Sequence, residues 1–185
     1  MPRNIEIKAR IANVDALLPR AQALAGGAPP ALIEQDDQFF RVPPGRGRLK
    51  LRRFADGSAE LIHYQRPDGT AARASDYVRV AVPDADALAA ALGRALGAAG
   101  RVVKRRWLLL AGQTRIHLDR VQGLGDFLEL EVVLQGGQSD AQGRAIAERW
   151  MQDLGLAAAP RLAGAYVDLD GDAGGGGGGQ HSFTK

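Results

Sequence analysis

The chain has 185 residues, of which 45% are hydrophobic and 24% charged, and it contains no cysteine. This composition is typical of one globular domain, and the lack of cysteine excludes disulfide bonds, thiolate metal sites and a cysteine nucleophile. The net charge of +3 favours an anionic partner, whereas 5% aromatic residues leave little for a base-stacking surface. No segment resembles a signal peptide or a membrane span, so we expect a cytoplasmic protein without a membrane partner.

Residues 4–11 predict the first strand, because apolar and polar side chains alternate along them without exception. Asn4, Glu6, Lys8 and Arg10 lie on one face, and the opposite face is apolar. For a single strand, the simplest interpretation is a polar face in water. That interpretation changes when other strands also carry charges of both signs on one face.

Two helices and four strands are predicted between residues 13 and 98. Asn13 and Asp84 are typical N-caps, Asp56 begins a hairpin turn, and Lys50 and Arg52 share one strand face. The predicted segments are a helix over 13–24, strands over 32–42, 48–52, 59–66 and 76–82, and a helix over 85–98.

The second half of the chain predicts three more strands and a helix. Ser139 and Gln142 form a capping box at the start of that helix. The segments are strands over 101–110, 114–119 and 127–133, a helix over 139–154 and a last ordered segment over 165–169. We expect one domain over 1–170 and a disordered, glycine-rich tail over 171–185, which lacks the apolar residues needed to fold.

Charges of both signs recur on one face of most predicted strands. Hairpin-length connections favour an antiparallel sheet, curved or closed, with a few helices outside, and closure would point these charges inward. Unpaired charges in a dry interior are costly. Arg and Lys, however, clamp phosphate oxygens, and carboxylates hold Mg²⁺ or Mn²⁺. The wall therefore predicts a metal–triphosphate complex or another phosphorylated ligand.

Residues 4–8, Asn-Ile-Glu-Ile-Lys, resemble the Glu-x-Glu-x-Lys signature of the CYTH family, the triphosphate tunnel metalloenzymes. Supporting motifs occur in the expected order between residues 4 and 169. They are Leu49-Lys50-Leu51-Arg52, Lys104-Arg105-Arg106, the run from Thr114 to Asp119 and the run from Gly125 to Glu131. The family includes class IV adenylyl cyclases and thiamine triphosphatases, and residues 118–131 are most similar to the cyclase branch.

The resemblance implies an α+β fold in which a closed, eight-stranded antiparallel β-barrel with flanking helices forms a tunnel. It also implies a linear triphosphate substrate with Mg²⁺ or Mn²⁺ as cofactor. By position, Glu6, Glu129 and Glu131 would bind the metal, and Lys8 and Asp119 would be catalytic. The phosphate-binding residues would be Lys50, Arg52, Arg66, Lys104, Arg106 and Arg115.

Three positions qualify these implied roles. Asn4 stands where the family usually has its first Glu, and an amide offers an oxygen but no charge to a metal. Strand register leaves Gln65 as an alternative to Arg66 inside the barrel. His117 shares a face with its charged neighbours, and a structural role is favoured over a catalytic one.

Three functions follow from the resemblance. A metal-dependent triphosphatase is preferred, because hydrolysis needs no pocket for a base; a class IV adenylyl cyclase and a non-catalytic triphosphate- or RNA-binding module are the alternatives. Scarce aromatic residues and carboxylates that repel phosphate argue against nucleic acid as the partner. Tripolyphosphate, thiamine triphosphate and ATP all remain open as substrates, as does the oligomeric state, with a homodimer among the options.

Overall fold

The computed structural model describes residues 4–65, 76–162 and 165–172. The strands are β1 (Asn4–Ile11), β2 (Ala31–Phe40), β3 (Arg48–Phe54), β4 (Ala59–Gln65), β5 (Asp76–Ala81), β6 (Ala98–Ala111), β7 (Thr114–Val121) and β8 (Gly125–Val133). The helices are α1 (Val14–Leu24), α2 (Ala85–Leu96), α3 (Asp140–Asp153) and α4 (Tyr166–Asp172). Arg66 and residues 173–185 of the predicted tail lie outside the described ranges.

All eight strands belong to one curled antiparallel sheet, in the order β1-β8-β7-β6-β2-β3-β4-β5. The predicted α+β class and the antiparallel arrangement are therefore confirmed. The hairpin of β3 and β4 and the capping box of Ser139 and Gln142 also form as the sequence predicts. In the described part of the chain, no helix combines the length and apolar character needed to cross a membrane.

The prediction of a closed barrel is wrong, because the sheet is an open half-barrel. Its end strands, β1 and β5, form no ladder with each other within the described ranges. Part of the outer edge of β1 is instead covered by the segment 160–162. Leu162 N donates to Lys8 O at 2.9 Å, and Arg10 N donates to Pro160 O at 3.3 Å. These backbone groups are already paired, so this part of β1 cannot accept another strand.

The convex face of the sheet carries the main apolar core. Alternate residues of β1, including Ile5 and Ile7, pack there against buried side chains of α1 and α3 such as Met151. Gly143 allows α3 to lie close to β1, since an added Cβ would lie 2.7 Å from Ile5 Cγ1 and 2.5 Å from Leu134 Cδ2. On the same face, α2 covers a smaller cluster built on β2, β3 and β4. The polar residues of the alternating strands are thereby directed to the concave face.

Candidate functional site

The concave face of the sheet surrounds a cavity of about 560 Å³ that receives side chains from all eight strands. Nearly all of the predicted site residues line it. Those on the wall are Glu6, Lys8, Lys50, Arg52, Lys104, Arg106, Arg115, Glu129 and Glu131. Asp119 does not line the cavity, and Arg66 falls outside the described residues, so its predicted position is not tested.

Asp119 is fully buried behind the cavity wall, where it holds two cationic side chains of β6. Its carboxylate accepts two hydrogen bonds from Arg106, both at 2.6 Å, and one from Lys104 Nζ at 3.1 Å. Arg106 also donates to Glu129 Oε2 at 2.8 Å. Burial alone would raise the pKa of Asp119, but Arg106 and Lys104 outweigh it and hold that pKa below its usual range.

Asp37 on β2 holds a second pair of cations in nearly the same way, and the sequence did not predict its role. Its carboxylate accepts hydrogen bonds from Arg52 Nε at 2.6 Å and Arg52 Nη2 at 2.7 Å. Lys50 Nζ donates to the same carboxylate at 2.7 Å. Burial would raise the pKa of Asp37, yet Lys50 and Arg52 hold it below its usual range.

Each of these aspartates faces a Lys-x-Arg segment on a neighbouring strand. Register pairs Asp37 with Arg52, and Asp119 with Arg106. Because β6 and β2 are adjacent, negative and positive side chains alternate across four neighbouring strands. Burial lowers the pKa of Lys50 to about 7 and that of Lys104 to about 8, despite their aspartate partners. Both amines therefore titrate near neutral pH.

Tyr166 at the start of α4 contacts these groups at one end of the cavity. Its hydroxyl donates to Asp119 Oδ2 at 3.0 Å, and its ring lies 4.0 Å from Lys8 Nζ and 5.1 Å from Lys104 Nζ. Burial, reinforced by Asp119 and Glu129, raises the pKa of Tyr166 far above its usual range. The tyrosine is therefore a neutral hydrogen-bond donor, and its ring attracts the two ammonium groups.

Carboxylates occupy neighbouring positions on the opposite part of the wall. Register pairs Glu6 with Glu131, and Lys8 with Glu129, across β1 and β8. Burial and the charge of Glu129 together raise the pKa of Glu131. Burial opposes ionisation of Glu129 as well, but Lys8 and Arg106 lower its pKa well below the usual range.

The donor chemistry of this carboxylate region fits a hard divalent cation, because Mg²⁺ and Mn²⁺ prefer oxygen ligands. The repulsion that raises the pKa of Glu131 would be relieved by a cation. The fit is one of donor type and not of spacing, because no group of three acidic or histidine side chains in the described ranges is spaced to hold a metal ion. Arg106 binds Glu129, and Arg115 Nη1 donates to Glu131 Oε2 at 3.3 Å.

Two further side chains on the wall carry buried atoms without a hydrogen-bond partner among the described residues. They are Gln35 Oε1 and His117 Nδ1. His117 is 4% exposed, and its Nδ1 lies 3.9 Å from Glu131 Oε1. Burial and the charge of Arg106 lower the pKa of His117 to about 3, so its ring is neutral at ordinary pH. Asn4, the departure noted in the sequence, also lines the cavity.

A family model of the CYTH domain matches residues 2–166 of the sequence. The chain belongs to the CYTH family. The resemblance found in the sequence motifs is thus confirmed over most of the chain. A search of curated proteins finds no match to this CYTH chain.

Three solved structures illustrate the relatives of this CYTH protein. PH1012 of Pyrococcus horikoshii OT3 is 25% identical with a TM-score of 0.72, over 83% of this chain and 90% of that one. A candidate adenylate cyclase of Vibrio parahaemolyticus is 20% identical with a TM-score of 0.70, over 91% and 98%. A candidate adenylyl cyclase of Hippeastrum, described as having a dominant triphosphatase activity, is 13% identical with a TM-score of 0.60, over 94% and 96%. The similarities to the Vibrio and Hippeastrum proteins show that this chain shares their fold.

Proposed function

We propose that this CYTH protein binds a linear triphosphate on its concave face and hydrolyses it with the help of Mg²⁺ or Mn²⁺. The observation that carries the proposal is the convergence of four cationic side chains of β3 and β6 on one cavity that also holds carboxylates. Asp37 and Asp119 each pair with two of these cations, so the aspartates balance the positive charge only in part, and buried excess charge of one sign is unfavourable. A polyphosphate would balance the remainder.

The two aspartates hold the phosphate-binding cations in position. Asp37 and Asp119 each engage Nε and Nη2 of one arginine. Within the described residues, Nη1 of Arg52 and of Arg106 makes no hydrogen bond and remains available to a phosphate oxygen. Arg115, at the other end of the wall, would contact a further phosphate. Arg66 keeps its proposed phosphate-binding role from the family motif alone.

Glu6, Glu129 and Glu131 are the residues that would hold the metal ion. When bound, the ion supplies positive charge that offsets charge on the phosphate oxygens during transfer. Before the ion binds, Arg106 donates a hydrogen bond to Glu129 and Arg115 donates one to Glu131. These bonds keep both carboxylates oriented on the cavity wall. These arginines would exchange carboxylate contacts for phosphate contacts as the substrate enters.

Lys8 would contact the terminal phosphate or position the attacking water, since its ammonium faces the Tyr166 ring at 4.0 Å beside the carboxylates. Attack of the water oxygen forms a bond to the terminal phosphorus and breaks its bridging P–O bond. The products are orthophosphate and a diphosphate. We assign Asp119 a positioning role in place of direct contact with the substrate, because its carboxylate is fully buried behind Lys104 and Arg106.

Cyclisation of ATP is the second candidate, favoured by the shared fold with two candidate cyclases. In that reaction the ribose 3′-oxygen attacks the α-phosphorus and pyrophosphate leaves. The apolar residues Ile33, Leu108 and Leu110 on the cavity wall could contact an organic group carried by the triphosphate. A non-catalytic binder of triphosphate or RNA stays the third candidate, and Asn4 in place of a family Glu is its main support.

Product analysis separates these functions. The purified protein is incubated with tripolyphosphate, thiamine triphosphate and ATP, each with Mg²⁺ or Mn²⁺, and the products are separated by chromatography. Orthophosphate with the matching diphosphate supports a triphosphatase and ranks its substrates. Cyclic AMP with pyrophosphate supports the cyclase instead. Tight triphosphate binding in calorimetry without any product would refute both catalytic proposals and favour the binder.

A further inference from the structure

We propose that the mouth of the cavity holds the organic group of a triphosphate ester, so that the site selects an organic triphosphate over inorganic tripolyphosphate. The inference rests on the proposed function, because it names the class of substrate that the same cavity would take. It is carried by an apolar strip on the cavity wall and by one buried amide beside that strip. The strip consists of Ile33 of β2, Phe54 of β3, and Leu108 and Leu110 of β6.

The inward-facing residues of β6 show which end of the cavity is open. Lys104 and Arg106 are only 6% and 8% exposed, whereas Leu110 is 66% exposed. Leu108, between Arg106 and Leu110 on the same face, is half-buried. Tyr166 of α4 lies at the opposite end, where its ring approaches Lys104. The cations are therefore deep in the cavity, and a triphosphate that they bind would direct its ester group outwards, past the two leucines.

Strand register makes the apolar residues neighbours of one another and of the cations. In the β2–β6 ladder Ile33 lies opposite Arg106, which makes it a diagonal neighbour of Leu108. In the β2–β3 ladder Phe54 lies opposite Gln35, two residues from Ile33 on the same face. Ligand sites typically combine apolar walls with a few polar groups that fix orientation. A ligand with both a charged and an apolar part would use the whole wall, whereas tripolyphosphate would leave the strip in water.

Gln35 supplies a polar group that could orient the organic part of the ligand. It is 5% exposed and lines the cavity, and its Oε1 is buried without a hydrogen-bond partner among the described residues. Such an unpaired acceptor is unfavourable and calls for an explanation. An amide oxygen accepts only from an N–H or O–H group, and phosphate oxygens act mainly as acceptors. The missing donor is therefore expected on the organic group.

The test compares organic with inorganic ligands of the full chain. Calorimetry measures dissociation constants for tripolyphosphate, ATP, UTP and thiamine triphosphate, once with EDTA and, in a parallel series, with excess Mg²⁺. The readout is the tripolyphosphate constant divided by the constant of the organic ligand that binds the wild type most tightly. Leu110→Ser tests the strip and Gln35→Met the amide. Leu32→Ser is the matched control, because Leu32 is 54% exposed but lies on the opposite face of β2 from Ile33.

We expect this ratio to fall about 3- to 10-fold in Leu110→Ser and in Gln35→Met, since each loses an apolar contact or a hydrogen bond to the organic group. Leu32→Ser should keep the wild-type ratio. An unchanged ratio in Leu110→Ser, or a fall that Leu32→Ser reproduces, would overturn the strip as a subsite. An unchanged ratio in Gln35→Met would overturn the amide contact.

Two further outcomes separate this inference from the proposed function. Binding of tripolyphosphate without binding of any organic ligand would overturn the inference and leave triphosphate binding and hydrolysis standing. Failure of all four ligands to bind in both series would overturn the inference and the proposed function together.

Discussion

Binding of a triphosphate should make Lys50 take up a proton. In the free protein, burial lowers the pKa of Lys50 to about 7, despite the neighbouring Asp37. At pH 8 only about one tenth of the amine is then charged. Phosphate oxygens within reach of the amine would stabilise its charged form and return its pKa towards the ordinary value of about 10.4.

The size of the effect follows from that difference in pKa. If the pKa of Lys50 returned fully to its ordinary value, binding would take up about 0.9 proton at pH 8 and about half a proton at pH 7. Below pH 6 the uptake through Lys50 would be almost zero. Since the bound form carries the higher pKa, this contribution to affinity is complete below about pH 6 and is lost as the pH rises through 7. The loss approaches about 10-fold in affinity per pH unit above pH 7.

Calorimetry in buffers of different ionisation enthalpy measures this proton uptake directly. The matched variant is Lys50→Arg, which keeps a cation beside Asp37 but has no group that titrates in this range. Titration of Lys104 and of the triphosphate itself contributes in both proteins and cancels in the difference. Equal proton uptake by wild type and Lys50→Arg at pH 8 would refute the placement of Lys50 against the phosphates.

Four further changes test the wall and its support. Glu129→Gln combined with Glu131→Gln should abolish metal-dependent hydrolysis with an unchanged circular dichroism spectrum; retained activity would contradict the metal assignment. Asn4→Glu should lower the Mn²⁺ dissociation constant in calorimetry, since it adds a carboxylate to the cavity wall, and an unchanged constant would place residue 4 away from the ion. Asp37→Asn should lower Tm in thermal denaturation, because breaking a buried ion pair costs about 3–5 kcal/mol, and tripolyphosphate should restore more of the Tm than it adds to the wild type. Gly143→Ala should reduce the free energy of unfolding in urea by about 1–3 kcal/mol through its clash at the β1–α3 contact, and unaltered stability would count against that packing.

Strict alternation made the cavity-lining face predictable from the sequence. The cavity wall carries the Lys50 and Arg52 pair, the Lys104 and Arg106 pair, and Glu129 and Glu131 of β8, as their strand phase indicated. Arg105, out of phase with its neighbours, lies on the outer face with an exposed side chain. A period of two assigns each side chain to a face, so these predictions needed no knowledge of strand order.

Two features could not be predicted, because they depend on contacts between segments distant in sequence. Asp37 lies in an acidic and amide-rich run of β2 that carries polar side chains on both faces, so its phase is ambiguous until β2 is paired with β3. Tyr166 reaches Asp119 from a short helix that follows the rest of the fold. Barrel closure was implied by the family resemblance, and alternation could not test it, because a side-chain period of two does not show whether the end strands of a sheet meet.

The segment 160–162 on the edge of β1 has a consequence for how the chain tolerates shortening. Its two backbone hydrogen bonds occupy groups that would otherwise offer a template to a strand of another molecule. A chain that ends before residue 160 would keep most of the cavity wall and yet expose that edge beside an apolar core. Self-association through β1 would then compete with folding, in addition to the loss of the Tyr166 hydroxyl from Asp119.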